Sequence, residues 1–320
     1  MICLDNRYST TRAVVTENGN RHELLPNRAH RCHGGLRVRG YYKQKLHDKP
    51  LVTVITATLN RKDFLDETIQ SVISQTYDNV EYIIVDGGST DGTLDVIRKY
   101  DDKIDYWVSR PDNSMYEAIN DGIRHSRGDI MAVLNSDDKY AGPEVIKQLA
   151  AYFQKYPEID GVYGNLIRLY ENHIRYKKLF QVNYKQYLTS RKGTFVPHST
   201  LFVKRRLIER VGLYDARYRY ASDYDFILRC LKCGTLRHID RPITFFREHS
   251  KSITAIGNNI TPETLTIVKE HNIDSLNKCY RFPMYAYLWT KYKLLNSLYS
   301  LHNKRHLSGK SQLFQGPLNC

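Results

Sequence analysis

A chain of 320 residues with 41% hydrophobic, 12% aromatic and 26% charged residues can bury a sizeable core, which excludes a disordered or fibrous protein and leaves room for one or two domains. Its formal charge of +14 would suit an anionic partner if it were spread evenly, but it is not: residues 1–49 hold ten Lys and Arg against four Asp and Glu, and residues 275–320 hold seven against none. The middle is nearly neutral, so it is not expected to bind nucleic acid.

Residues 1–49 are polar, basic and weakly periodic up to Pro50, and read as a basic N-terminal extension. The N-terminus has no basic segment leading into an apolar run, and no uncharged stretch of about 18 apolar residues occurs, so neither a signal peptide nor a membrane span is expected and the expected address is the cytoplasm. From Pro50 an alternation begins. "LVTVITA" (51–57), "VEYIIVD" (80–86), "IDYWVS" (104–109) and "DIMAVLN" (129–135) are short β-branched or aromatic runs, separated by the helix-period segments "KDFLDETIQSVISQT", "DGTLDVIRKY" and "SMYEAINDGIRHS". Strands alternating with helices predict an α/β domain, with a mostly parallel central sheet covered by helices on both faces.

In such sheets ligands bind beyond the carboxyl ends of the strands. Those ends carry "TATLNR", "VDGGSTDGT", "SRPDN" and "NSDD", so polar and acidic groups are expected on one rim. Adjacent Asp137 and Asp138 repel each other unless a cation lies beside them, and hard oxygen ligands of this kind suit Mg²⁺ or Mn²⁺ carrying a diphosphate. The same pair could equally cap the helix starting near Pro143. "DGGSTDGT" is neither a P-loop nor G-x-G-x-x-G: Gly87 and Gly88 allow close backbone approach, and Asp86 at the strand tip can accept hydrogen bonds from a base or ribose. In "YASDYDFILRCLKCG", Asp223 and Asp225 stand at a loop-to-helix junction, where a carboxylate can face a cleft as a base or cap the helix. Helical spacing turns the two about 200° apart, so one of them faces the cleft. Cys230 and Cys233 form a C-x-x-C inside that periodicity with no second pair at zinc spacing, and read as helix residues. His198 in "VPHST" and His249 in "REHSKS" are candidates for contacts to an acceptor or diphosphate, beside the ordinary structural role of a lone histidine.

Taken in order, "VTVITATLNR", "VEYIIVDGGSTDGT", "SRPDNSMYEAINDGI", "GDIMAVLNSDD", "VPHSTLFVKRRLIERVGLYD" and "YASDYDFILR" closely resemble the inverting glycosyltransferases of family 2 with their GT-A fold, above all bacterial enzymes that build surface polysaccharides. The resemblance covers about residues 50–255, which are expected to form the catalytic domain. It implies a nucleotide-sugar donor, a UDP-sugar in most such enzymes, a divalent metal (Mn²⁺ or Mg²⁺), and a glycan or lipid-linked acceptor. On the matching motifs, Thr56, Asn60, Asp86 and Gly88 would face the nucleotide, and Asp112 and Asn120 would line the donor sugar and diphosphate. Asp137 would be the principal metal and diphosphate carboxylate with Asp138 beside it, and Asp223 the base. The chain departs from the family at Asn135, where a third carboxylate is common, at Ser222, where Glu is usual, at Arg110, where close relatives tend to have Glu, and at Ser114, where Gly is usual. The Q-x-x-R-W motif of processive members is absent, so one sugar per encounter is expected. A nucleotidyltransferase would need a triphosphate-binding loop with glycine near the first strand, where "TATLNRKDF" has none; a nucleic-acid binder would use the basic flanks against an acidic rim.

Residues 256–320 read as a basic, aromatic helical tail. Within it "CYRFPMYAYLWTKYKLLNSLYSLH" (279–302) suits a helix lying on the anionic inner face of a membrane, or one packed on the catalytic domain.

Overall fold

The computed structural model describes residues 2–4, 12–15, 32–188, 196–249 and 260–271. The chain divides into two compact units, one of residues 1–187 with 194–249 and one of residues 188–193 with 250–320. In the second unit, α8 (Ile260–Glu270) is the described helix; the aromatic stretch 279–302 lies outside the described residues. Among the described residues no helix is long and apolar enough to cross a membrane.

The first unit opens with strands β1 (Ile2–Leu4), β2 (Arg12–Val15), β3 (Cys32–Gly34) and β4 (Tyr41–Lys43). The predicted alternation follows as β5 (Val52–Thr58), α1 (Lys62–Ile73), β6 (Val80–Asp86), α2 (Thr93–Arg98), β7 (Tyr106–Ser109), α3 (Met115–His125) and β8 (Ile130–Val133). Next come β9 (Lys139–Tyr140), α4 (Val145–Lys155), β10 (Gly161–Leu169), β11 (Ile174–Lys177), α5 (Tyr184–Leu188), β12 (Leu201–Lys204), α6 (Arg205–Val211), α7 (Ser222–Cys233) and β13 (Leu236–Arg247). A ten-stranded sheet runs β3-β7-β6-β5-β8-β12-β10-β13-β9, with β11 paired to β10; β1, β2 and β4 form a separate small sheet. The pairs β7-β6, β6-β5 and β5-β8 are parallel. Every residue of β5 is buried, as expected of a strand covered on both faces.

The helices seat on this sheet through apolar stripes. In α1 the buried positions Leu65, Thr68, Ile69 and Val72 recur at helical spacing. In α3 Gly122 faces β5 so closely that a Cβ there would lie 2.4 Å from an Ile55 methyl group, so the missing side chain lets this helix press against the central strand. Ser114 caps α3 by accepting the Glu117 amide, and the Glu117 carboxylate accepts the Asn113 amide in return, a reciprocal arrangement that fixes where the helix begins. A serine in place of glycine here therefore has a definite task.

Residues 32–49 belong to the part of the sequence set apart as a basic extension, and β3 is the edge strand of the main sheet, antiparallel to β7. The segment is anchored by charge. Arg37 is buried and pairs with buried Glu81, whose other oxygen accepts from Thr53 Oγ1 and the Arg127 amide; Arg37 also donates to the His125 carbonyl. A buried carboxylate deprived of its cation is expensive. Arg37→Met is accordingly expected to lower unfolding free energy by about 3 kcal/mol or more, read as a drop in the urea midpoint at unchanged slope.

Candidate active site

The carboxyl ends of β5, β6, β7 and β8 stop at one rim, which is where the sequence places its polar motifs. At the nucleotide end, β5 and β6 finish side by side with Thr58 opposite Asp86. Asp86 is fully buried, and its carboxylate accepts from the Gly88 and Ser89 amides, the Ser89 hydroxyl and the Ser109 hydroxyl. It shapes the loop. Gly88 has φ +86°, a conformation that favours glycine, and the carboxylate of Asp112 lies over Gly87, where a Cβ would sit 2.8 Å from Asp112 Oδ2. Asn60, at φ 52°, accepts the Thr90 amide on Oδ1 and donates its own backbone amide to Ser89 Oγ. It clips the two loops together at the surface.

Two residues expected at the nucleotide or donor have buried side chains. Thr56 is fully buried with its hydroxyl 3.1 Å from that of Tyr82, inside the core. Thr58, two residues on, carries a buried hydroxyl with no partner among the described residues; it is the threonine at the strand end. Asn120 is also buried, donating to the Tyr214 carbonyl at 2.7 Å and accepting the Tyr214 amide at 2.9 Å. Both ends of its amide hold the Tyr214 backbone. Arg110 pairs with buried Asp121 at 2.7 Å, so its positive charge is held against α3.

At the other end of the rim the two adjacent aspartates part company. Asp138 is 1% exposed; Oδ1 accepts the Arg247 amide at 3.0 Å and Oδ2 accepts Asn135 Nδ2 at 2.8 Å. Burial, then the charge of Asp137, pushes its carboxyl well above the ordinary range. Both of its oxygens are thus engaged by protein donors. Asp137 is turned outward, and its companion is His249, whose Nε2 lies 2.9 Å from Oδ2. His249 stacks on Phe64 at 4.9 Å between ring centroids, and the Arg247 guanidinium lies 4.9 Å from the same ring. Arg247, the last residue of β13 and paired with Leu169 of β10, sets a cation beside the acidic pair, and His249 follows two residues on.

His198, in a short 3-10 turn (His198–Thr200), donates from Nε2 to Asn135 Oδ1 at 2.8 Å. Asn135 thus links His198 to Asp138, an office a third carboxylate would not fill in the same way. Burial holds the His198 imidazole below its ordinary pKa, against the opposing pull of Asp223 and Asp137. Asp223 lies in the first turn of α7; Oδ1 accepts the Tyr224 amide at 2.8 Å and the Tyr116 hydroxyl at 3.3 Å. Asp225 faces away and pairs with Arg229 at 2.7 Å. Ser222 is fully buried, its hydroxyl unpartnered among the described residues, so the position usual for Glu holds a small side chain under the helix start.

The fold is that of GT-A nucleotide-diphospho-sugar transferases. Residues 53–212 match the family described as Glycosyl transferase family 2, and the chain belongs to that family: it is a glycosyltransferase. It is 32% identical over 181 residues to an uncharacterised glycosyltransferase of Mycobacterium tuberculosis, covering 56% of this chain and 68% of that one. It is 29% identical over 184 residues to the PGL/p-HBAD biosynthesis glycosyltransferase of Mycobacterium bovis, covering 57% and 70%. Among solved structures it resembles Staphylococcus aureus TarS 1–349 in complex with UDP-GlcNAc (TM-score 0.59, 15% identity, 73% and 70% covered). The mannosyltransferase PcManGT of Pyrobaculum calidifontis, in complex with GDP-Man and Mn²⁺, has TM-score 0.51 at 18% identity, with 81% of each chain covered.

Asp112 gives the site a pH signature. Partial burial, helped by the charges of Glu117, Asp86 and Asp121 and opposed by Arg110, raises its pKa to about 6. An acid raised in the folded state keeps its proton there after the unfolded chain has lost its own, so stability declines as pH rises from about 4 through 6. Asp112→Asn is expected to flatten that decline and to gain about 1 kcal/mol at pH 7, solvent screening at this half-buried position included. Thermal melts of both proteins from pH 4 to 8 check it.

Proposed function

We propose that the protein transfers a single sugar, with inversion, from a nucleotide-sugar donor, a UDP-sugar, to a hydroxyl of a glycan or lipid-linked acceptor. The observation that carries this reading is the division of the rim: Asp137 with His249 at one place, and at another an Asp223 carboxylate whose Oδ2 has no hydrogen-bond partner among the described residues, His198 lying within electrostatic reach of both. The donor sites named for the TarS and PcManGT complexes and the glycolipid pathway in the mycobacterial relative's name support the same class of substrate. The address proposed is the cytoplasm, with attachment to the inner membrane face through the tail.

Among the described residues no cluster of three or more His, Cys, Asp or Glu side chains is placed to hold a metal ion, so a divalent cation here would take the Asp137 carboxylate and complete its coordination with the donor's own diphosphate oxygens, His249, Asp138 and Arg247 bracing that carboxylate through the bonds already given. When bound there, the metal would neutralise charge developing on the leaving diphosphate. The remaining steps belong to the chain. Thr58, Asn60, Gly88 and Asp112 bound the nucleotide end and hold the base and ribose. The acceptor oxygen forms its bond to the anomeric carbon as the bond from that carbon to the diphosphate oxygen breaks; the hydroxyl proton passes to Asp223 Oδ2, and the nucleoside diphosphate departs with the bonding electron pair. Attack from the face opposite the leaving group inverts the anomeric centre. His198 lies between the leaving group and the base, where its ring can bond a sugar hydroxyl.

Calorimetry with UDP and Mn²⁺ tests the leaving-group end. Asp137→Ala is expected to abolish metal-dependent nucleotide binding without loss of fold, because a rim loop contributes little to the core; binding as tight as in the native protein would refute the assignment. At the other end, Asp223→Asn keeps the volume and an oxygen for the Tyr224 amide but not basicity, so donor affinity should persist while transfer falls by about 10² to 10⁴. A rate within threefold of native, with Asp225→Asn inactive, would move the base two residues along.

A further inference from the structure

Resting on the assignment of Asp223 as the base, we propose that Tyr116 is its positioning residue: its hydroxyl anchors Oδ1 of Asp223 so that Oδ2 alone is presented to the acceptor, and α3 thereby sets the geometry of the proton-accepting step. A carboxylate in the first turn of a helix can rotate about χ1 and χ2, and a base that wanders loses effective molarity. Something must fix it. Oδ1 receives the Tyr224 amide at 2.8 Å, and the single Tyr116 hydroxyl proton is shared between Oδ1 and the Tyr220 carbonyl, each 3.3 Å from Oη. Oδ2 has no partner among the described residues.

Tyr116 is itself held firmly. It is 2% exposed, and its ring stacks on Tyr214 at 5.8 Å and 15°, which stacks in turn on Phe226 of α7 at 4.2 Å and 13°. Tyr214 cannot drift, because Asn120 clamps its backbone from both sides. Tyr116 and Asn120 stand one turn apart on the same face of α3. One helix therefore grips both the base and the ring stack behind it. Burial and the nearby Asp223 charge hold the Tyr116 phenol well above its ordinary pKa, so it stays a hydrogen-bond donor at neutral pH.

This explains why the motif "MYEAIN" carries Asn120 although that side chain touches no substrate-facing space. It also assigns Tyr116 a task that a purely hydrophobic aromatic could not perform, since phenylalanine would fill the same stack without reaching Oδ1.

Tyr116→Phe, which keeps the stack, is the test, carried out on the full chain beside Asp223→Asn and the double variant. Crystal structures come first, because they decide without turnover. The expected result is an Asp223 carboxylate in one rotamer in the native protein and in several, or in another, in Tyr116→Phe; an unchanged single rotamer overturns the proposal. Turnover is then followed as UDP release from UDP-GlcNAc with Mn²⁺ and a panel of alkyl glycosides as acceptors. Tyr116→Phe should lower kcat about 10- to 100-fold with donor KM and UDP affinity unchanged, and should add less than twofold in the Asp223→Asn background, because the two act as one unit. A kcat within twofold of native overturns the proposal. Full activity in Asp223→Asn is a different failure: it removes the base assignment itself, whatever Tyr116 does.

Discussion

Like charge at close quarters is the constraint around which this rim is built. Asp86, Asp112, Asp121, Asp137, Asp138 and Asp223 all lie at or beside the carboxyl ends of the central strands, and six ionised carboxylates cannot share a half-buried space without compensation. The structure sorts them. Asp86 is surrounded by hydroxyl and amide donors, Asp121 is paired with Arg110, and Asp138 is buried against the Arg247 amide and Asn135. Those three are internal struts. Asp112, Asp137 and Asp223 keep an exposed edge, and the proposed chemistry rests on that open set.

The helix α3 joins these roles. It starts beside Asp112 with its Ser114 cap, lies tight on β5 because Gly122 has no side chain, and sends Tyr116 and Asn120 toward α7 and its flanking loop. A displacement of α3 would be felt at the nucleotide end and at the base together. The other brace is Arg247, whose amide, Nε and terminal nitrogens reach Asp138, the Asp137 carbonyl and Glu67. It ties the far half of the sheet to the acidic loop, so that the loop is rigid although it is at the surface.

The four central strands and the three helices between them were legible because each is a local pattern: near-continuous β-branched runs for strands covered on both faces, and apolar residues at helical spacing for the helices. Asp137, Asp223 and His249 are singled out by their motifs, and the structure sets His249 against Asp137. What failed was the direction of side chains. Thr56 and Thr58 are alike in sequence, and their difference is set by how the end of β5 pairs and packs. Asp137 and Asp138 are adjacent, and only contacts to Arg247 and His249, 109 to 112 residues away along the chain, decide which one turns outward. Asn120 looked like a ligand contact because it is polar and near a motif; its partner, Tyr214, is 94 residues off. The edge strand β3 was hidden for a related reason, since its three residues have no period of their own and are held by β7 and by Arg37.

That last connection bears on how the domain keeps its rim in register. Glu81 is a residue of β6, the strand whose end carries Asp86, and it is satisfied by three partners from three segments: Arg37 from the early chain, Thr53 from β5 and the Arg127 amide from the loop after α3. A buried carboxylate tolerates no slippage among its donors, because shifting any one leaves charge unpaired in a medium of low dielectric. The network therefore pins β5, β6 and the exit of α3 at the amino-terminal side of the sheet, while Asp86 and Asn60 pin the loops at the carboxyl side. Two polar locks at opposite ends of the same strands fix their relative height, and with it the spacing between the nucleotide loops and the helix that carries Tyr116. Apolar packing alone would allow small sliding of such strands; the buried ion pair removes that freedom, which is the use of an interaction that contributes little net stability for its cost in desolvation.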